Sequence, residues 1–369
     1  MDSQIVVTRS SGDFVFDSTS RQFLDLCMGY GSVSFGHNHP AIVRRIKEQL
    51  DCSYSPGFLD VPVRNGAIQA LNSLLPNTHH TQAIFSTGME CVEASLRLAA
   101  HITNRTKFVA FQGSMHGKSL LTATLAGKDC AFSESTLTSL PYIDKQSEDD
   151  ILRTVENILH HEEHAALLLE PIQMSSNGRV PDIGFLDALY QICHRYNTLL
   201  IFDEILSGFY RTGSAFFFQS LAVMPDIVLT GKALGSGLPA AALISDKTID
   251  RSALNYRIES TYTNHPLTCA AVSASIEISK EADLRSSVGA IERIIVGTLD
   301  ENKLFGKGAM WCYKIDAHHD TLTFFKRLVN ANIIVSFFEG YIRLLPSYFI
   351  DLSVLESACK TIHTLDGCR

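Results

Sequence analysis

The chain has 369 residues, 46% of them apolar and 19% charged, the composition of a folded globular protein rather than a disordered or fibrous one. Its formal net charge is −8 and it holds no Lys/Arg-rich run, so it lacks the basic patch that a phosphate-backbone binder needs, and nucleic acid is excluded as an expected partner. Nine cysteines (Cys27, Cys52, Cys91, Cys130, Cys193, Cys269, Cys312, Cys359 and Cys368) stand singly without C-x-x-C spacing, which excludes a disulfide framework or zinc ribbon and predicts free thiols in a reducing compartment.

Residues 1–10 carry no apolar stretch of the kind found in secretion signals, and no run of 18 apolar residues follows. A cytoplasmic chain with no membrane partner is expected. Through the middle of the sequence, apolar runs of strand length alternate with amphipathic helical patterns. Strands are predicted over 81–86, 107–112, 165–170, 198–203, 226–230 and 240–244, and helices over 89–101, 149–161 and 183–196. Several of these strands are apolar throughout, as strands covered on both faces tend to be. The alternation predicts an α/β fold with a largely parallel sheet wrapped by helices, forming a large domain over residues 40–268. From residue 269 the texture becomes α+β. A long helix is followed by a strand over 309–315, a helix near 321–332, short strands around 333–338 and 341–345, and a closing helix over 353–363. Together with residues 1–39 this is expected to form a smaller domain, packed tightly because no low-complexity linker intervenes.

The block TLLIFDEILSGFYRTG, residues 198–213, ends an apolar strand in Asp203 and Glu204. In parallel sheets the carboxyl ends of the strands open a crevice where functional groups gather. A carboxylate there is either a solvated strand end or the partner of a cation. The block DIVLTGKALGSGLP, residues 226–239, ends a second apolar strand in Lys232 before a glycine-rich turn. A lysine emerging among small residues can be desolvated, which makes its amine nucleophilic; the alternative is a surface lysine before a turn. The pair says more than either half, since both residues sit at strand ends, 29 positions apart. Thr87, Gly88 and Met89 lie between a predicted strand and a predicted helix, where unpaired amides and the helix dipole favour an anion. GSMHGKS, residues 113–119, has three residues between its glycines where a P-loop needs four, which argues against nucleotide binding. HHEEH, residues 160–164, does not fit H-E-x-x-H and is expected to be solvated histidines near the end of a polar helix, so no metal is expected.

DEILSGFYRTG and PDIVLTGKALGSGLP together resemble the class III aminotransferases, pyridoxal-phosphate enzymes of fold type I. The resemblance runs from FLDLCMGYGSVSFGHNHP near the start to YIRLLPSYF near the end. It implies a large domain on a mostly parallel seven-stranded sheet flanked by helices, a smaller α+β domain, and pyridoxal 5'-phosphate as cofactor. By the same resemblance Lys232 is the Schiff-base lysine and proton carrier, Asp203 the partner of the pyridine nitrogen, and Ile205 a cover for one ring face. Thr87, Gly88 and Met89 fall on the phosphate cup. Family members usually carry a hydroxyl at position 89, and its loss costs about 0.5–1.5 kcal/mol. Met115 replaces a ring-stacking aromatic residue before His116, and Leu206 stands where many members have Gln.

Thr261, in ESTYTNHP, matches a threonine that crosses to the neighbouring chain's phosphate, which implies a homodimer with shared active sites. Arg343 aligns with the arginine that receives a substrate carboxylate. Ser175 occupies the place of a glutamate that masks this arginine in some relatives, so Arg343 is expected to stay open. Tyr30 and Gly31 are expected to line the substrate pocket. The activity implied is transfer of an amino group from an amino acid or amine donor to an oxo acid or aldehyde. A decarboxylase, aminomutase or epimerase on the same framework is one alternative, and a non-catalytic binding protein is another.

Overall fold

The computed structural model describes residues 5–57, 59–125, 127, 136–143, 146–249 and 260–367. Near the N-terminus β1 (Val7–Ser11), β2 (Phe14–Asp17) and β3 (Gln22–Asp25) form an antiparallel meander. Two helices follow, Pro40–Cys52 and Pro62–Asn72, each opened by a proline whose missing N–H has no acceptor to lose at that position.

The central sheet is built from β4 (His79–Phe85), β5 (Lys107–Phe111), β6 (Leu137–Leu140), β7 (His164–Leu169), β8 (Leu199–Glu204), β9 (Ile227–Gly231) and β10 (Ala241–Asp246). Its seven strands lie in the order β4-β10-β9-β8-β7-β5-β6. The pairings from β6 to β9 are parallel, and β10 runs against both of its neighbours. The sheet is therefore mostly parallel, as the sequence predicts.

Burial explains why these strands read as continuous apolar runs. Every residue of β7, HAALLL, is buried. Leu167 and Leu169 enter one core with Val109, Leu200 and Phe202, while Ala166 and Leu168 enter the other with Phe108, Ala110 and Ile201. A strand covered on both faces leaves no position for a polar alternation. The helix Gly88–Thr103 supplies Cys91, Val92 and Leu96 to the second core. The helices Glu148–Leu159 and Ile183–Arg195 supply Ile151, Val155, Leu186 and Leu189 to the first.

Beyond the sheet come the helices Pro266–Glu281 and Leu284–Thr298, then β11 (Leu304–Lys307), β12 (Met310–Lys314), the helix Thr321–Asn330, β13 (Ile333–Ile334), β14 (Ser336–Phe338) and β15 (Tyr341–Leu344). The segment 333–338, expected near one short strand, is split between two sheets. β13 pairs in parallel with β3, and β14 pairs antiparallel with β15 in the sheet β11-β12-β15-β14. Buried Val335 sits at the switch. The closing helix, Leu352–Gly367, is longer than predicted. Among the described residues no helix is long and apolar enough to cross a membrane.

Candidate active site

Three neighbouring strands of the central sheet end in ionisable residues. Register pairs Leu169 of β7 with Phe202 of β8 and Glu204 of β8 with Thr230 of β9. Glu170, Asp203 and Lys232 therefore gather at one sheet edge. Asp203 is buried. Its Oδ2 lies 2.7 Å from His116 Nδ1, and its Oδ1 accepts the Ile205 N–H at 3.1 Å. The other ring nitrogen of His116, Nε2, is buried without a partner among the described residues. Burial pushes the Lys232 amine below the ordinary lysine pKa. Glu170 and Asp203 oppose that shift, while Arg343 and Arg211 add to it. The Lys232 backbone sits at φ +44°, a left-handed conformation that a non-glycine residue holds where surrounding packing requires it. Burial likewise raises the Glu170 carboxyl to about 7, and it accepts the Met115 N–H at 2.7 Å.

Opposite these strand ends lies the start of the helix Gly88–Thr103. Thr87 caps it by accepting the Glu90 N–H at 3.1 Å, and Glu90 turns back to accept the Ser86 N–H at 3.1 Å. Gly88 and Met89 occupy the first turn, whose amides have no intrahelical acceptor. A Cβ at Gly88 would fall 2.6 Å from Ile205 Cδ1, so the helix start and Ile205 can approach this closely only with glycine there. A cleft of about 400 Å³ collects Thr87, Gly88 and Met89 from the helix, Met115 and His116 from the loop after β5, and Ile205 and Lys232 from the strand ends. Two larger surface grooves, of about 590 and 520 Å³, contain none of the predicted site residues. The chemistry decides between them: an amine, an imidazole with an unpaired ring nitrogen whose other nitrogen meets buried Asp203, and a helix start converge in the smaller one. These residues fit a phosphorylated pyridine aldehyde.

Arg343 lies on β15, opposite Cys312 of β12 and Ser336 of β14. Its guanidinium is 5.1 Å from the centre of the Phe338 ring and its Nε has no partner; no described carboxylate lies within ion-pair distance. Gly31, at φ +82°, is packed so that a Cβ would meet Leu206 Cδ1 at 2.8 Å, while Tyr30 is 63% exposed. The cleft that holds Lys232 is lined by Ser32 rather than by Tyr30 or Gly31. Thr261 is exposed in the turn before the helix Pro266–Glu281 and does not line its own chain's cleft. Asn264 ties that turn to β4 through Ile84, with bonds of 2.6 and 2.8 Å. Glu259, the first residue of the ESTYTNHP block, lies outside the described residues.

One expectation needs correction. His160 and His161 are exposed, but His164 opens β7 and is buried, because the polar helix has already ended at Leu159. No metal-binding cluster occurs among the described residues. Arg211, unmarked by the sequence reading, is fully buried and donates to the carbonyls of Ala309 (3.0 Å) and Pro346 (2.6 Å) and to Ser34 Oγ (2.6 Å).

A family model described as aminotransferase class-III matches residues 1–365. The chain belongs to this family. A LysW-aminoadipate semialdehyde/glutamate semialdehyde transaminase from Sulfolobus acidocaldarius is 29% identical over 98% of this chain and 94% of its own length. An acetylornithine aminotransferase from Bacillus cereus is 29% identical over 97% of this chain and 94% of its own. In fold, the chain matches a pyridoxal-phosphate-bound amine transaminase from an uncultivated Pseudomonas species with a TM-score of 0.90 at 21% identity, covering 99% of this chain and 96% of that one. The class III enzyme is thus a pyridoxal-phosphate-dependent aminotransferase of the α/β type.

Proposed function

We propose that this aminotransferase works as a homodimer on substrates that bear a carboxylate, with Lys232 as the residue that joins the cofactor. Pyridoxal phosphate, when bound, supplies an electron sink that lets an amino group leave one carbon and join another. The chain's own residues do the rest. The amides of Gly88 and Met89 bind the phosphate at the helix start, and Thr261 of a second copy completes that cup. Asp203, held by His116 and the Ile205 N–H, keeps a proton on the ring nitrogen. Ile205 and Met115 cover the ring faces. The Lys232 amine, whose pKa burial lowers, takes a proton from the substrate carbon that gives up its amino group and delivers it to the cofactor carbon that would receive that group. The cleft is proposed to lie between a large unit, residues 40–268, and a small one, residues 1–39 and 269–369, with Ser32 on its wall and Tyr30 and Gly31 next to it in sequence, outside the lining.

The observation that carries the substrate class is Arg343, a guanidinium without a carboxylate partner among the described residues and within electrostatic reach of Lys232. A planar fork in that state suits a carboxylate. The relatives named for acetylornithine and for semialdehydes of aminoadipate and glutamate support donors and acceptors of this kind. Steady-state kinetics with an amino acid donor and a simple alkyl amine test the reading. Arg343→Ala should raise KM for the amino acid by about 10- to 100-fold, the equivalent of about 1.5–3 kcal/mol for a charged hydrogen bond, and leave the amine unaffected. An equal rise for both substrates contradicts it.

A further inference from the structure

Glu170 is a buried carboxyl that the mechanism above does not use. It follows β7 directly, and the register of Leu169 with Phe202 places it beside Asp203 at the sheet edge that carries the chemistry. One oxygen, Oε1, accepts the Met115 N–H at 2.7 Å, while Oε2 takes no hydrogen bond from a described residue. The charged or titratable groups that act on it are His116 from the loop after β5, Asp203 after β8 and Lys232 after β9; Cys312 of β12 also feels its charge. Lys232 in turn feels Glu170 first among its neighbouring charges, then Asp203, Arg343 and Arg211.

We propose that Glu170 is a positioning residue for Lys232: one carboxyl oxygen fixes the loop that carries Met115 and His116, and the carboxyl's charge governs whether the lysine amine keeps its proton. This rests on the reading of Lys232 as the cofactor-binding amine. A buried carboxyl with a single hydrogen-bond donor is costly to ionise, so its charge switches close to neutral pH. When ionised it favours the ammonium form of Lys232; when protonated it leaves the amine free to react. The coupling is electrostatic and needs no other reactant.

The test measures the amine itself. The full-length chain, freed of cofactor, is acetylated with a small excess of acetic anhydride from about pH 6 to about pH 10, and Lys232 labelling is read by peptide mass spectrometry. In the wild type the labelling curve should show two steps, the lower one near the ionisation of Glu170. Glu170→Gln can still accept the Met115 N–H, so it should preserve the loop but give a single step whose midpoint is lower by about one pH unit. Glu170→Asp should retain two steps. A single-step wild-type curve, or a Gln variant with the wild-type curve, overturns the proposal and leaves a purely structural Glu170. Added pyridoxal phosphate should protect Lys232 from labelling. Failure of that protection rejects the reading of Lys232 instead, so the two failures are distinguishable.

Discussion

The contact between His116 and Asp203 leaves the aspartate with both oxygens engaged and the histidine with one nitrogen unused. A carboxylate held in this way can keep a proton on a heterocyclic nitrogen placed against it, whereas an amide cannot. Asp203→Asn should therefore lower kcat by about 100- to 10,000-fold, the range of a lost acid–base contribution, in single-turnover assays with an amino donor. Near-normal turnover would remove Asp203 from the site. Asp203 and Lys232 were legible in the sequence because each terminates an apolar run, and a charge placed there needs a reason. Arg211 was not. Its three acceptors lie on residues 34, 309 and 346, so its environment exists only in the folded chain. Glu170 closes a predicted strand but was given no role, since a Glu before a Pro at a strand end reads as an ordinary boundary.

Among the elements, the six predicted strands of the central sheet agree with the observed ones to within two residues at either end. Continuous burial makes such strands conspicuous. β6 was missed because it has four residues at the sheet edge with two of them half-buried, too short a pattern to stand out. The 333–338 segment misled because a chain that moves from one sheet to another at Val335 keeps its apolar character while changing partners. The helix at Gly88 carries a prediction of its own. Thr87→Ala removes the cap and should lower stability by about 1 kcal/mol, with Thr87→Ser restoring it, in chemical denaturation. The turn after β8 carries another. Glu204 is buried, accepts the Phe217 and Phe218 N–H groups at 2.6 and 2.8 Å, and is raised by burial to about 7. An acid whose folded pKa exceeds its unfolded value stabilises the fold below the unfolded value and loses that contribution as pH rises through the folded one. The destabilisation caused by Glu204→Gln should accordingly be largest near about pH 5 and shrink toward about pH 8 in thermal melts. A penalty that grows with pH would show that the carboxylate, not the acid, is the form the turn prefers.

At the scale of the whole molecule, the N-terminal segment and the strand bearing Arg343 are joined by backbone. Leu345 donates to the Leu26 carbonyl and Tyr348 to the Ser34 carbonyl, each at 2.7 Å, and β13 extends the N-terminal sheet. This long-range union was visible in outline, since the sequence motifs at both ends point to one pocket, but its hydrogen bonds were not. The exposed Thr261 turn is the part of the account that needs a second copy. Sedimentation should give about twice the 40.7 kDa chain mass. Thr261→Val should release pyridoxal phosphate faster on dialysis without changing that mass, and a variant that retains the cofactor as the wild type does would take Thr261 out of the cup.

The convergence of Lys232 with the acid at the neighbouring strand end is the claim on which the chemistry turns. The most direct measurement is reduction of the purified, cofactor-loaded chain with borohydride, followed by peptide mapping. The pyridoxyl group should appear on the peptide containing Lys232 and vanish in Lys232→Ala. Its appearance on another lysine, or no covalent adduct at all, would contradict the account.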